Sequence, residues 1–240
     1  MNIILLRRDD WISDDLVVLR DRRADHIRHQ LHADVGDPVR VGLRDGPCGD
    51  AIVCAMDSDG VSLCVQLSES PPPRHRFDIV LALPRPKMLR RILRTVAEFG
   101  VQNLHLIHSA RVEKSYWQSP LLHAERLDEA LLAGLERSRD TCAPKVHLHR
   151  RFRPFVEDQL PALCAGRPCW IADPAGRQSL AEVAAEAALV MIGPEGDAGA
   201  SRRAHPQRGY RPDHGARPGA AGRPWPVLNT GADGQLEAEV

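Results

Sequence analysis

The 240-residue chain is poor in lysine, in aromatic residues and in net charge. Its 32 basic residues balance 32 acidic ones, which excludes a bulk polycation. Only Lys87, Lys114 and Lys145 are lysine, a bias that a GC-rich gene explains without selection for bidentate phosphate contacts. No stretch approaches the roughly 20 apolar residues that span a bilayer, and "MNIILLRRDDW" places its charge after a short apolar run, the reverse of a secretory signal. A cytoplasmic protein with no membrane partner is expected. The cysteines Cys48, Cys54, Cys64, Cys142, Cys164 and Cys169 have neither CxxC spacing nor a partnered His. Neither a metal site nor a disulfide framework is expected from them, and they read as buried or incidental thiols. The last absence is local: after Gly196 no Val, Ile, Leu, Met or Phe occurs until Val227.

What is present divides in two. "DPVRVGLRDGPCGDAIVCAMDSDGVSLCVQL" alternates apolar and polar residues around Asp45-Gly46 and Asp59-Gly60, pairs that favour tight hairpin turns. Before it, Ile27, Leu31 and Val35 recur at helical spacing up to Gly36. A small antiparallel barrel with one helix is expected over residues 1–70. The Pro-rich "SESPPPRHR" then marks a boundary. From residue 77 the pattern alternates: "FDIVLALP", "VQNLHLIHS", "PCWIADP" and "ALVMIGPEG" read as strands, and "KMLRRILRTVAEFG", "SPLLHAERLDEALLAGLERSR" and "SLAEVAAEA" as helices. This predicts an α/β domain over 77–240 with a mostly parallel sheet, whose ligands bind where strands end in loops. Residues 81–160 carry 14 basic against 9 acidic side chains, a local surface able to meet phosphate. Residues 197–226 hold 5 Gly, 5 Pro, 6 Ala and 6 Arg, too little apolar surface to offset ordering entropy, so 197–240 is expected to be divergent and disordered.

Gly193-Pro194-Glu195-Gly196 follows an apolar strand. Its glycines admit close approach of backbone to a flat ligand, Pro194 stiffens the turn and Glu195 offers acceptor oxygens. Taken alone, it reads as a plain strand-to-helix connection. In the helix after "FDIVLALP", Lys87, Arg90, Arg91 and Arg94 lie on neighbouring turns, with Met88, Ile92, Val96 and Phe99 as the expected apolar face.

Four stretches in order, "ADHIRHQLHADVGDPVRVGLRDG", "LALPRPKMLRRILRTVAEFGVQNLHLIHSARV", "LLAGLERSRDTCAPKV" and "LVMIGPEG", resemble the ribosomal RNA uracil-N3 methyltransferase family, trefoil-knotted enzymes of the SPOUT class. The resemblance covers roughly residues 20–196. It implies a PUA-like N-terminal β-barrel that helps hold RNA, and a knotted α/β domain that binds S-adenosylmethionine and forms a homodimer. It implies methylation of N3 of a uridine in 16S ribosomal RNA of the small subunit. Carried over residue by residue, it places the cofactor against Ile192, Gly193, Pro194, Glu195 and Gly196, beside Ala172 and Asp173, with Leu228 and Thr230 on two positions of a late motif. Arg111 and Glu136 fall on motif positions that imply catalytic roles. Arg7, Arg8 and Arg28, with Lys87, Arg90, Arg91 and Arg94, would contact RNA phosphates, and His26 reads as a solvated charge. A uracil N3 carries a proton, so transfer needs proton removal or stabilisation of the developing imidate charge. Arg111 supplies positive charge for that, and Glu136 orients it or accepts a proton. Their alternatives are a surface arginine and a helix-face ion pair.

The family's amphipathic helix and strand after Gly-Pro-Glu-Gly have no evident counterpart here, and the Arg and Glu of its late motif are absent. The Gly/Pro/Arg/Ala-rich stretch has the look of a GC-rich gene read in a shifted frame, and the knot is expected to be incomplete. Two rival readings follow: a catalytically inactive RNA-binding relative, and a methyltransferase acting on transfer RNA.

Overall fold

The computed structural model describes residues 2–172, 178–179, 187–194 and 227–229. Packing divides the chain into two units that interleave along the sequence. Residues 1–75, 85–104 and 118–146 form the first, and residues 76–84, 105–117 and 147–240 the second.

The first unit contains a five-stranded sheet of β1 (Ile4–Leu6), β2 (Leu16–Leu19), β3 (Pro38–Leu43), β4 (Cys48–Met56) and β5 (Val61–Glu69), in the order β1-β3-β4-β5-β2. The expected antiparallel hairpins form at both Asp-Gly pairs, while β1 joins β3 in parallel. At the first turn Asp45 takes the left-handed conformation, with φ 55°. At the second, the Asp57 carboxylate accepts the backbone N–H of Asp59 and Gly60 at 2.8 and 3.0 Å. Alternate residues of each strand point inward, and Leu6, Val17, Leu19, Val41, Val53, Val61 and Leu63 are fully buried. Each such side chain contributes roughly 1.5–3 kcal/mol of transfer free energy.

Helix α1 (Arg22–His29) packs Ala24 and Ile27 into the same core. Its first turn is capped by Asp21, whose side chain accepts the Arg23 N–H. The expected continuation to Gly36 fails: the helix stops at His29, and Leu31 and Val35 are exposed. The helix is capped at Gln30, and His32 takes a left-handed backbone, φ 50°, which no helix continues through.

Helices α2 (Pro86–Glu98) and α3 (Ala124–Ser138) complete the first unit and pack on each other. The apolar face of α2 is rotated from the one expected. Leu89, Leu93, Val96 and Ala97 are buried, whereas Met88 and Ile92 are only half-buried and Phe99 is exposed. Gly134 sets the closeness of the pair, because a Cβ there would stand 2.3 Å from the Arg94 carbonyl oxygen.

A seven-stranded sheet, most of which belongs to the second unit, comprises β6 (Phe77–Ala82), β7 (Asn103–Ile107), β8 (Lys145–His149), β9 (Cys169–Ala172), β10 (Gln178–Ser179), β11 (Ala188–Ile192) and β12 (Val227–Asn229), ordered β10-β12-β9-β11-β6-β7-β8. The pairings from β10 through to β6 are all parallel, as expected for strands with near-continuous apolar runs. Phe77, Trp170, Ala188 and Val190 form one cluster of its core, with Phe77 and Trp170 edge-to-face at 5.6 Å.

Two features depart from expectation. Val227–Asn229 forms a strand in this sheet, inside the stretch expected to be disordered. Four of the six cysteines are paired, Cys54 with Cys64 across β4 and β5, and Cys164 with Cys169, while Cys48 and Cys142 are free thiols. Cross-strand neighbours are set by register, which the spacing of cysteines does not reveal.

Candidate functional site

Strand register collects one group of the expected residues. Ile192, the last residue of β11, pairs with Ala172 of β9, and Ala172 pairs with Leu228 of β12. Ala172 and Ile192 end their strands and Leu228 lies one residue before the end of β12, so three residues expected at a cofactor stand at one level on three adjacent parallel strands, near the edge where open α/β sheets bind ligands. Burial grades along β11 from Ala188 and Leu189, fully buried, to Ile192, an apolar side chain left 39 % exposed. Gly193 and Pro194 continue beyond the edge, and a Cβ on Gly193 would meet nothing within 4 Å among the described residues. Asp173, Glu195, Gly196 and Thr230 lie outside the described residues.

On the other flank, Ile192 pairs with Leu81 of β6. The Leu83 N–H then donates to the Ile107 carbonyl at 2.9 Å, and the His108 N–H to the His149 carbonyl at 3.1 Å. The C-terminal ends of β6, β7 and β8 therefore lie side by side at the same edge of the sheet. Arg111 sits just past β7 in a turn closed by Val112 N–H donating to Ser109 C=O at 3.0 Å. Its side chain is exposed and makes no hydrogen bond or ion pair among the described residues.

The same loop holds residues that the sequence reading did not single out. The Trp117 indole N–H donates to His108 Nδ1 at 3.0 Å. The Arg150 guanidinium lies 5.4 Å from the centre of the Trp117 ring and donates to its carbonyl at 3.5 Å. Ser109 Oγ is buried without a partner among the described residues. No periodicity marks these residues, because their contacts are made by a loop folding back on a strand end.

Beside this edge, β7 and β8 carry three stacked imidazoles. His105 lies 4.4 Å from His147 and 5.3 Å from His149, ring centre to ring centre, and its Nδ1 is 3.1 Å from His149 Nε2. Burial, reinforced by the charges His147 and His149 would carry, pushes the His105 pKa down to about 4. Among the described residues no group of three or more His, Cys, Asp or Glu is arranged to hold a metal ion. No helix among them is long and apolar enough to cross a membrane.

The remaining expected residues belong to the first unit. Glu136 is buried on α3 and accepts two hydrogen bonds from Arg22, at 2.5 and 3.3 Å, while its carbonyl accepts the Asn2 N–H. Its carboxylate thus joins α3 to the start of α1. A second pair, Arg44 with Asp128, ties β3's end to the same helix. Arg28 is likewise engaged, donating to the Asp57 and Gly60 carbonyls at 2.5 and 2.7 Å and so holding the β4–β5 turn. His26 is buried, not solvated, with Nδ1 2.7 Å from Gln30 Oε1. Arg7 and Arg8 are exposed. On α2, Lys87, Arg90, Arg91 and Arg94 all face solvent; Arg94 pairs with Glu98, while Lys87 and Arg91 have no partner among the described residues. Arg23, unremarked in the sequence, is buried with bidentate bonds to Asp10 at 2.6 Å and a third carboxylate contact to Asp21 at 2.9 Å.

Comparison with known proteins fits this arrangement. Residues 70–205 match the family model described as an RNA methyltransferase domain, which is more than half of the chain. Over 157 residues the chain is 31 % identical to ribosomal RNA small subunit methyltransferase E of Treponema pallidum (strain Nichols), a match spanning 65 % of this chain and 59 % of that protein. A crystal structure of a probable rRNA-methyltransferase from Porphyromonas gingivalis superimposes with a TM-score of 0.60 at 25 % identity, covering 82 % of this chain and 81 % of its own. The ribosomal RNA small subunit methyltransferase E of Neisseria gonorrhoeae, crystallised bound to S-adenosylmethionine, shares the fold at a TM-score of 0.60 and 15 % identity, over 81 % and 80 % of the two chains. By its sequence match over residues 70–205, the chain belongs to the RNA methyltransferase domain family.

Proposed function

We propose that this protein is an S-adenosylmethionine-dependent methyltransferase that modifies N3 of a uridine in the 16S RNA of the small ribosomal subunit. The observation that carries the reading is the common level of Ala172, Ile192 and Leu228 on adjacent strands β9, β11 and β12, with Gly193-Pro194 following Ile192. These residues fit the cofactor: Ile192 leaves apolar surface for an adenine ring, and the open space over Gly193 lets backbone N–H and C=O groups approach it. Asp173, Glu195, Gly196 and Thr230 are assigned to the same pocket from the resemblance. When bound, the cofactor supplies an electrophilic methyl group on its sulfonium.

Arg111 is exposed, unpaired among the described residues, and placed at the same edge, which suits it to stabilise negative charge on the uracil oxygens. Glu136 is assigned a catalytic role from the resemblance; within the first unit its carboxylate accepts hydrogen bonds from Arg22. Lys87, Arg90, Arg91 and Arg94 of α2, with Arg7 and Arg8, supply phosphate contacts that hold the RNA, and Arg28 contributes by fixing the β4–β5 turn. The substrate uridine is unstacked, because its Watson–Crick edge must reach the methyl group. In this reading the five-stranded sheet and α1 are a PUA-like RNA-binding barrel, the second sheet is a trefoil-knotted SPOUT domain, and the protein works as a cytoplasmic homodimer.

The test is calorimetric titration of S-adenosylmethionine into the full chain, followed by transfer of labelled methyl to small subunits lacking the modification, with mass spectrometry of the product nucleoside. One-to-one binding and 3-methyluridine are expected. Binding of RNA without cofactor binding would favour the inactive RNA-binding relative, and methylation of transfer RNA alone would overturn the ribosomal substrate.

A further inference from the structure

The geometry points to His108 as a further catalytic residue: its Nε2–H donates a hydrogen bond to a carbonyl oxygen of the target base and does not act as the base that takes its proton. This rests on the methyltransferase reading above. The first ground is the partner of the other ring nitrogen. An indole N–H can only donate, so the 3.0 Å bond from Trp117 makes His108 Nδ1 the acceptor. In a neutral imidazole the proton is then on Nε2. Trp117 is itself buried, with Arg150 on its face and carbonyl, so the tautomer is fixed by packing.

The second ground is availability. His108 is half-buried, its Nε2 has no partner among the described residues, and it is not among the side-chain nitrogens shut off from solvent. A polar N–H that is presented and left unused contrasts with His26 and His105, whose unpaired nitrogens are sealed inside.

The third ground is position. The Leu83–Ile107 hydrogen bond lies two residues beyond the Leu81–Ile192 pair, so His108 is level with Pro194 of the candidate cofactor loop. One strand, β6, separates β7 from β11, which puts the two loops about 10 Å apart at the usual interstrand spacing. A base presented to a methyl donor at Gly193-Pro194 fills that gap, with Arg111 three residues from His108 on the same loop. When water takes the proton from a uracil N3, the negative charge left behind spreads onto its two carbonyl oxygens, and transfer of the methyl to N3 releases the donor as a neutral thioether. An imidazole N–H and a guanidinium meet that charge from one side, and neither can accept the proton.

The experiment combines a spectrum with kinetics on the full chain. In 15N-labelled protein at pH 8, long-range 15N–1H correlations of His108 are expected to show a protonated Nε2 and an unprotonated Nδ1, and Trp117→Phe is expected to turn this into a mixture of tautomers. His108→Ala is expected to lower kcat about 10²-fold, the usual effect of losing one preorganised donor, with KM for the small subunit and calorimetric cofactor affinity within about threefold of wild type. His108→Gln, which keeps an N–H near the Nε2 position, is expected to recover most of that loss. A protonated Nδ1 in an active wild type, or a wild-type kcat in His108→Ala, would overturn this role and leave the methyltransferase reading intact. A wild type that binds RNA but transfers no methyl would overturn both.

Discussion

Replacing Gly134 by alanine sets two opposed effects against each other. An alanine inside an exposed helix would gain about 0.8–1.0 kcal/mol over glycine from propensity alone. Here the new Cβ would stand 2.3 Å from the Arg94 carbonyl oxygen, 2.8 Å from the Ala97 Cβ and 3.1 Å from the Arg94 carbonyl carbon. Two of these three obstacles are backbone, so no side-chain rotation relieves them, and α2 and α3 must part by about 1 Å to restore contacts near 3.5 Å. Overpacking of this kind costs about 1–3 kcal/mol, and the parting also thins the contacts of Leu93 and Leu135, both fully buried. Overpacking wins, and we expect Gly134→Ala to destabilise the protein by about 1–2 kcal/mol, lowering Tm by about 3–6 °C for a chain of this size. Urea unfolding followed by circular dichroism, with an unchanged m-value, measures it. A Tm equal to or above that of the wild type would refute the argument, because it would mean that propensity and not the closeness of the two helices governs this position.

Three further outcomes follow from other contacts. His105 is held near pKa 4 in the fold against about 6.5 unfolded, so below pH 6.5 the unfolded chain takes up a proton that the folded chain refuses. Stability should therefore fall from pH 6.5 towards pH 4; with water reaching part of the His105, His147 and His149 stack, we expect about 1–2 kcal/mol between pH 7 and 5, and a flatter profile in His105→Phe. Asp78, which opposes the shift, and Arg167, which adds to it and binds Asp78 at 2.7 Å, face the same group and should be left intact in that comparison. Arg22→Ala leaves the buried Glu136 carboxylate without its partner; because Arg22 is itself well exposed, the loss should be about 1 kcal/mol, and Glu136→Gln in the same chain should return part of it in chemical denaturation. Lys87→Ala with Arg91→Ala should leave Tm unchanged while reducing the slope of log affinity against log salt for single-stranded RNA by about 1.4, and an unchanged slope in a filter-binding titration would remove α2 from the RNA surface.

The alternation of strand and helix from residue 77 was legible because it rests on local periodicity: β6, β7, β9 and β11 stand where continuous apolar runs place them. The hairpins were legible from Asp-Gly chemistry alone. β8 was not, because "KVHLH" alternates histidine with small apolar residues and gains its stability from the stack with His105, a partner 44 residues away from His149. The rotated face of α2 was missed for a related reason. Met88, Ile92, Val96 and Phe99 and the observed Leu89, Leu93, Val96 and Ala97 are both helical stripes, and only the presence of α3 selects between them. Arg23 and Arg22 carried no signal in the sequence, since nothing local distinguishes an arginine enclosed by Asp10 and Asp21, or one bound to Glu136, from one in water.

The candidate site divides along the same line. Gly193-Pro194 was legible as a loop because glycine and proline restrict the backbone wherever they stand. Its place beside Ala172 and Leu228 depends on strand order, and β12 enters the sheet between β9 and β10 although it follows both in sequence. That insertion gives β9 a neighbour on each side at its C-terminal end, while β11, held between β9 and β6, leaves Ile192 as the point where the apolar run emerges from the core. Polar substitution of Val190, 6 % exposed, would therefore strike the fold. The same change at Ile192 would fall on surface that the protein leaves open, and should alter cofactor affinity with little change in stability. Measuring both quantities on Val190→Thr and Ile192→Thr separates the buried part of β11 from the part that serves the site; equal losses of stability in the two would show that Ile192 belongs to the core after all.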